Sequence, residues 1–106
     1  MGETGIDLKK AFPDIKSTLE HLAEECCEVG QKKSKVIRFG LNDEWPAGSG
    51  STNREKLEEE IGHLLAVVDI LKAHGLVSDE EMLPHKWHKW DSMIKWNAYR
   101  GTKGEL

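Results

Sequence analysis

Two clusters in this chain combine residue types and spacings that suit metal chemistry: Glu24-Glu25-x-x-Glu28 and, further along, Glu60-x-x-His63. In a helix, side chains three residues apart sit on neighbouring turns, so Glu25 with Glu28, and Glu60 with His63, form two pairs able to converge. Two antiparallel helices would bring the pairs together. On a helical wheel Glu25 and Glu60 fall at the margins of their apolar stripes, where partly desolvated acids repel one another unless cations neutralise them. Clustered hard oxygen donors suit Mg²⁺ or Mn²⁺, and those ions in turn suit phosphate oxygens. A single helical glutamate is most often a solvated charge. The matched spacing on two helices is what sets these apart.

The elements that must position them follow from apolar periodicity. After Pro13, Ile15, Leu19, Leu22, Cys26, Val29 and Val36/Ile37 recur on one helical face, which predicts a helix running to about Phe39, where Gly40 supplies a stop. Gly30 inside it costs roughly 1 kcal/mol relative to Ala, an amount close helix packing would offset. Residues 40–53, with Pro46 and Gly-Ser-Gly-Ser, read as a polar loop long enough to serve as a substrate lid. Thr52 with Glu55 forms a capping box that starts a second helix near Asn53.

That helix carries Leu57, Ile61, Leu64, Leu65, Val68 and Leu71 on one stripe, and Ala66, Val67 and Ile70 make its second half apolar nearly all round. One partner helix cannot cover such a surface, so several copies of the chain are expected to assemble. His74-Gly75 ends the helix. Ser78 with Glu81 caps a short turn interrupted by Pro84. A final helix over about 85–99 places Trp87, Trp90, Ile94 and Ala98 on one face, and the two tryptophans read as core. Residues 1–12 read as a flexible lead-in. The expected fold is therefore all-α, a single domain over 1–106. Its helical hairpin and C-terminal helix would assemble into a four-helix-type bundle by homo-oligomerisation.

Composition narrows the classes of function. Charged residues at 32% and hydrophobic ones at 38% fit a globular chain rather than a disordered or membrane-embedded one. No apolar run is long enough to span a bilayer, and no secretory signal is recognisable, so the expected location is cytoplasmic. A net charge of −4 argues against a nucleic-acid polymer as partner. Cys26 and Cys27 are adjacent within a helical pattern, which indicates neither a disulfide framework nor a thiolate zinc site.

The segments Leu22-Ala23-Glu24-Glu25-Cys26-Cys27-Glu28-Val29 and Glu58-Glu59-Glu60-Ile61-Gly62-His63-Leu64-Leu65 resemble the all-α nucleoside triphosphate pyrophosphohydrolases, the group that includes MazG, the dimeric dUTPases and phosphoribosyl-ATP pyrophosphatase. The resemblance covers residues 14–72 well and the C-terminal helix loosely. It implies metal ligation by Glu25, Glu28, Glu60 and position 63, with Mg²⁺ as the expected ion. The family has Asp at the last of these positions and this chain has His63. Imidazole favours Zn²⁺, Mn²⁺ or Fe²⁺ over Mg²⁺, so either the metal preference differs or activity is impaired.

The implied reaction is hydrolysis of a nucleoside triphosphate to the monophosphate and pyrophosphate, with Glu24 as the candidate to orient or deprotonate the attacking water. Lys32, Lys35, Arg38, Arg54, Lys86 and Lys89 are candidates for the triphosphate, although each alone is more often a surface cation. Trp45 or Trp96 is available to stack on a base. The partners implied are a nucleoside triphosphate and further copies of the chain, as a homodimer or homotetramer. Two rivals stand beside this reading. One is a di-metal carboxylate bundle, which uses Glu-x-x-His pairs. The other is a catalytically impaired oligomer that binds nucleotides or a protein partner.

Overall fold

In a computed structural model of the chain, residues 5–100 are described, and they form helices with no strand among them. α1 (Leu8–Ala11) is a single turn capped by Asp7, whose carboxylate accepts from the Lys10 amide at 3.2 Å. It occupies part of the stretch expected to be a structureless lead-in, while residues 1–4 of that stretch lie outside the described residues. His74 Nε2 contacts the Phe12 carbonyl at 2.7 Å and so ties this segment to the end of α3.

α2 (Ile15–Phe39) and α3 (Asn53–Ala73) form the expected hairpin. Asp14 caps α2 through the Ser17 amide. Gly40 ends it at φ 99°, a backbone setting that a side chain would strain, and a Cβ there would stand 2.9 Å from Asp43 Oδ2. α3 starts with the capping box read from the sequence: Thr52 N donates to Glu55 Oε1 at 2.8 Å and Glu55 N donates to Thr52 Oγ1 at 3.1 Å. The Thr52 backbone amide, and then its hydroxyl, hold the Glu55 carboxyl below its ordinary value.

The contact between the two helices follows a strict four-three spacing. Thr18, Leu22, Glu25, Val29, Lys32 and Val36 on α2 are buried or half-buried, as are Asn53, Leu57, Glu60, Leu64, Val67 and Leu71 on α3. This is the seam of an antiparallel coiled-coil-like pair. It is displaced by about one residue from the α2 stripe expected through Leu19, Cys26 and Ile37, all of which are exposed. Residues that follow a seam position share one flank of the hairpin, and residues that precede one share the other. The following flank is open and largely apolar, with Leu19, Cys26, Ile37, Ile61 and Leu65 exposed, and carries Lys33, Arg54, Glu58 and Lys72 as well. The preceding flank is ionic and carries Glu24, Glu28, Lys35, Glu59 and His63.

Gly30 lies on the open side, and a Cβ added there would meet nothing within 4 Å, so no close packing offsets its cost. The second half of α3 is likewise half covered within the chain, with Leu65 at 59% exposure.

α4 (Asp79–Arg100) differs from expectation in two ways. It runs through Pro84 as one helix instead of breaking there. The proline sits in the second turn, where it forfeits one backbone bond near the helix start, and Asp79, Glu80 and Glu81 in the first turn favour the positive end of the helix dipole. Ser78 still caps it through the Glu81 amide at 3.2 Å. Second, Trp87 and Trp90 are not core: each is 56% exposed. α4 leans on the hairpin only at its beginning, where Met82 and Leu83 are half-buried and Asp79 pairs with Lys72 at 3.1 Å. The radius of gyration, 16.9 Å, exceeds the ~13 Å of a compact chain of this length because α4 stands away from the other helices.

Candidate metal centre

The seam explains how three potential ligands come together. Glu25 and Glu60 occupy facing seam positions at mid-height of the hairpin, with their side chains only 19% and 13% exposed. His63 precedes the seam residue Leu64 by one and reaches back from the ionic flank, half exposed at 49%. Its Nδ1 lies 3.3 Å from Glu60 Oε2 and 3.7 Å from Glu25 Oε2. One donor atom from each of the three residues falls within 4.8 Å of the other two, a grouping found for no other such residues among those described.

Two carboxylates facing each other between Leu22, Val29, Leu57 and Leu64 of the seam are costly: partial burial removes much of their hydration and proximity adds repulsion. Their hydrogen bonding does not remove that cost. Glu25 Oε2 is shielded from solvent and accepts no hydrogen bond among the described residues. A divalent cation would offset it. Donors around one such ion stand roughly 3 to 4 Å apart, given metal–ligand distances of about 2.0–2.2 Å, and the separations at His63 Nδ1 lie in that range. The residues present therefore fit a small divalent ion with three protein donors.

No family model, curated protein or solved structure matches the chain. The functional reading thus rests on the residues themselves.

The remaining candidates fall into three places. Glu28, expected as a fourth ligand, is not among the three grouped residues, and its Oε2 lies 3.9 Å from Lys32 Nζ. Glu24 is strongly exposed and pairs with His21 at 3.3 Å, outside the three-residue group. At the loop end of the hairpin, Phe39 and Trp45 stack at 4.1 Å with a 9° interplanar angle. Lys35 Nζ lies 5.7 and 5.8 Å from the two ring centroids, and the Arg38 guanidinium lies 5.4 Å from that of Phe39. Glu25, Glu28, Lys32, Lys35 and Phe39 follow one another at three- and four-residue steps, so one ridge of α2 links the ligand group to the aromatic stack.

Arg54 is engaged with the loop itself, its guanidinium donating to Asn42 Oδ1 at 3.1 and 3.2 Å. On α4, Lys86 lies over Trp90 at 5.4 Å, Trp96 stacks with Tyr99, and Lys89 is exposed.

Three contributors escaped the sequence reading. Glu59 Oε2 lies 3.9 Å from His63 Nε2 and flanks the imidazole on its far side. Lys56 Nζ donates to the Trp45 carbonyl and to Ser49 Oγ, both at 2.8 Å, and holds the loop beneath the aromatic stack. Asn53, 1% exposed, donates from Nδ2 to the Gly40 carbonyl at 2.9 Å. The backbone bonds Asn53 N to Asp43 O and Arg54 N to Leu41 O, both 2.8 Å, add to these ties between the loop and the start of α3. The sequence signal for Lys56 and Asn53 was their place in the first turn of a helix that follows a long polar loop.

Proposed function

We propose that this chain is a metal-dependent nucleoside triphosphate pyrophosphohydrolase that holds its divalent cation with Glu25, Glu60 and His63. The observation that carries the reading is the pair of half-buried, facing carboxylates, one of which has an oxygen shielded from solvent and lacking a hydrogen-bond partner. Such a pair is hard to explain as packing. The bound ion would neutralise triphosphate oxygens and activate a water for attack between the α and β phosphates. Lys32 and Lys35, placed along the ridge between the ligands and the Phe39–Trp45 stack, would bind the polyphosphate, and the stack would receive the base. Glu59 would orient His63 from its second nitrogen, as a carboxylate behind a metal-bound histidine commonly does.

The test is release of pyrophosphate from ribo- and deoxynucleoside triphosphates with Mg²⁺, Mn²⁺ and Zn²⁺, beside a Glu60→Gln control. Turnover lost in the control supports the assignment; turnover that survives it removes the site.

One specific observation favours a second reading. The residues that converge are one glutamate from α2 and a Glu-x-x-His pair from α3, while Glu28 is not among them. Doubled by a second chain, that is the ligand set of a di-metal carboxylate bundle. Bound iron with an oxo-bridged absorption band would decide for it.

We further read the chain as a homo-oligomer, dimer or tetramer. Val36, Val67 and Leu71 are its only buried apolar side chains among the described residues, whereas an apolar flank of the hairpin and the Trp87, Trp90, Ile94 face of α4 stand open. Sedimentation equilibrium at micromolar concentration tests this, and a strictly monomeric chain would refute it.

A further inference from the structure

We infer that His63 makes this centre selective for a borderline transition-metal ion such as Zn²⁺ or Co²⁺, and a poor site for Mg²⁺. The inference rests on the functional reading above for the location of the ion and goes beyond it in assigning which ion. Three features of the site carry it. The donor set holds an imidazole nitrogen, and that nitrogen is central: His63 Nδ1 is the atom that approaches both Glu60 Oε2, at 3.3 Å, and Glu25 Oε2, at 3.7 Å. Without His63 only two carboxylates remain in the group.

The second feature is the number of donors. Mg²⁺ demands a near-ideal octahedron of oxygens and holds its waters tightly, so it is served poorly by two carboxylates and a nitrogen. Zn²⁺ and Co²⁺ accept three protein donors with one position left for water or substrate, and imidazole suits both ions. The third is burial. Glu25 and Glu60 are only 19% and 13% exposed, which disfavours the several waters that Mg²⁺ retains, while His63 is half exposed.

The experiment is a metal titration of the full chain, stripped of metal beforehand, followed by calorimetry for Mg²⁺, Mn²⁺, Co²⁺ and Zn²⁺ and by the visible absorption of Co²⁺. One ion per chain is expected, with Co²⁺ and Zn²⁺ bound at least about tenfold more tightly than Mg²⁺. Bound Co²⁺ should show the intense bands of a low-coordinate site. In His63→Asp the preference should collapse, with Co²⁺ and Zn²⁺ weakened, Mg²⁺ strengthened and the Co²⁺ bands reduced. His63 is half exposed, so the variant should keep its fold, which circular dichroism checks. Equal affinity for Mg²⁺ and Co²⁺, or a Co²⁺ preference that persists in His63→Asp, overturns the inference and leaves a metal site in place. Failure of every ion to bind the unaltered chain overturns both this inference and the functional reading.

Discussion

Replacing Glu60 by Leu should make the metal-free chain more stable while abolishing its response to metal. Glu60 is 13% exposed and its seam neighbours Leu57, Leu64 and Val29 are apolar and at least half-buried, so a leucine would continue the stripe. Burying a leucine side chain is worth about 1.5–3 kcal/mol, and slightly less here for the part left exposed. Against this stands the lost contact between Glu60 and the half-exposed His63, worth at most about 1 kcal/mol in a solvent-screened pair. Relief of repulsion from Glu25 adds to the gain. The net expectation is a stabilisation of about 1–2 kcal/mol without metal, or a melting temperature raised by roughly 4–12 °C for a chain of this size. An ion at a hundred times its dissociation constant should stabilise the unaltered chain by about 2.7 kcal/mol and Glu60→Leu by nothing. Urea unfolding in chelator and in Mn²⁺ or Zn²⁺ measures both terms. A metal-free Glu60→Leu that is less stable than the unaltered chain would show that the carboxylate contributes to folding, and the argument for an ion-requiring seam would fail.

Gly30→Ala should raise stability by about 0.8–1 kcal/mol, since the added methyl meets nothing within 4 Å and the helix gains propensity; chemical denaturation reads it directly. Asn53→Ala should cost about 1–3 kcal/mol, because it leaves the Gly40 carbonyl without its donor in a buried corner, and loosening of the loop should appear as faster amide exchange over 41–51. Glu55 has its carboxyl pulled below the ordinary value by Thr52, so its contribution is complete above the unfolded-state range and fades as pH falls through the folded-state value. Melting temperatures between pH 7 and pH 3 should therefore fall less steeply in Glu55→Gln, which should also be the less stable protein at pH 7.

The limits of α2 and α3 were legible because they are set locally, by Gly40, Thr52, Glu55 and His74-Gly75, and local chemistry is printed in the sequence. The facing of the helices was less legible. Cys26 and Leu19 are more apolar than Glu25 and Thr18, so hydrophobicity alone shifts the α2 stripe by one residue and leaves Glu25 at its edge, although the four-three spacing of Thr18, Leu22, Glu25, Val29, Lys32 and Val36 was available to be read. Pairing of Glu25 with Glu60 and His63 followed from motif spacing and antiparallel packing. That Glu28 falls outside the group depended on which side of the seam it occupies, a fact fixed only when the partner helix is in place. Trp87 and Trp90 misled because a stripe of tryptophans signals burial without saying in which molecule.

The two flanks of the hairpin lie back to back, with the greasy residues Leu19, Ile37, Ile61 and Leu65 on one side and His63, Glu59 and Lys35 on the other. Mutations that tune stickiness on the first side leave the surroundings of His63 chemically unchanged. Selection can therefore alter one surface without disturbing the other, and the same division lets an engineer redesign either side while holding its opposite constant.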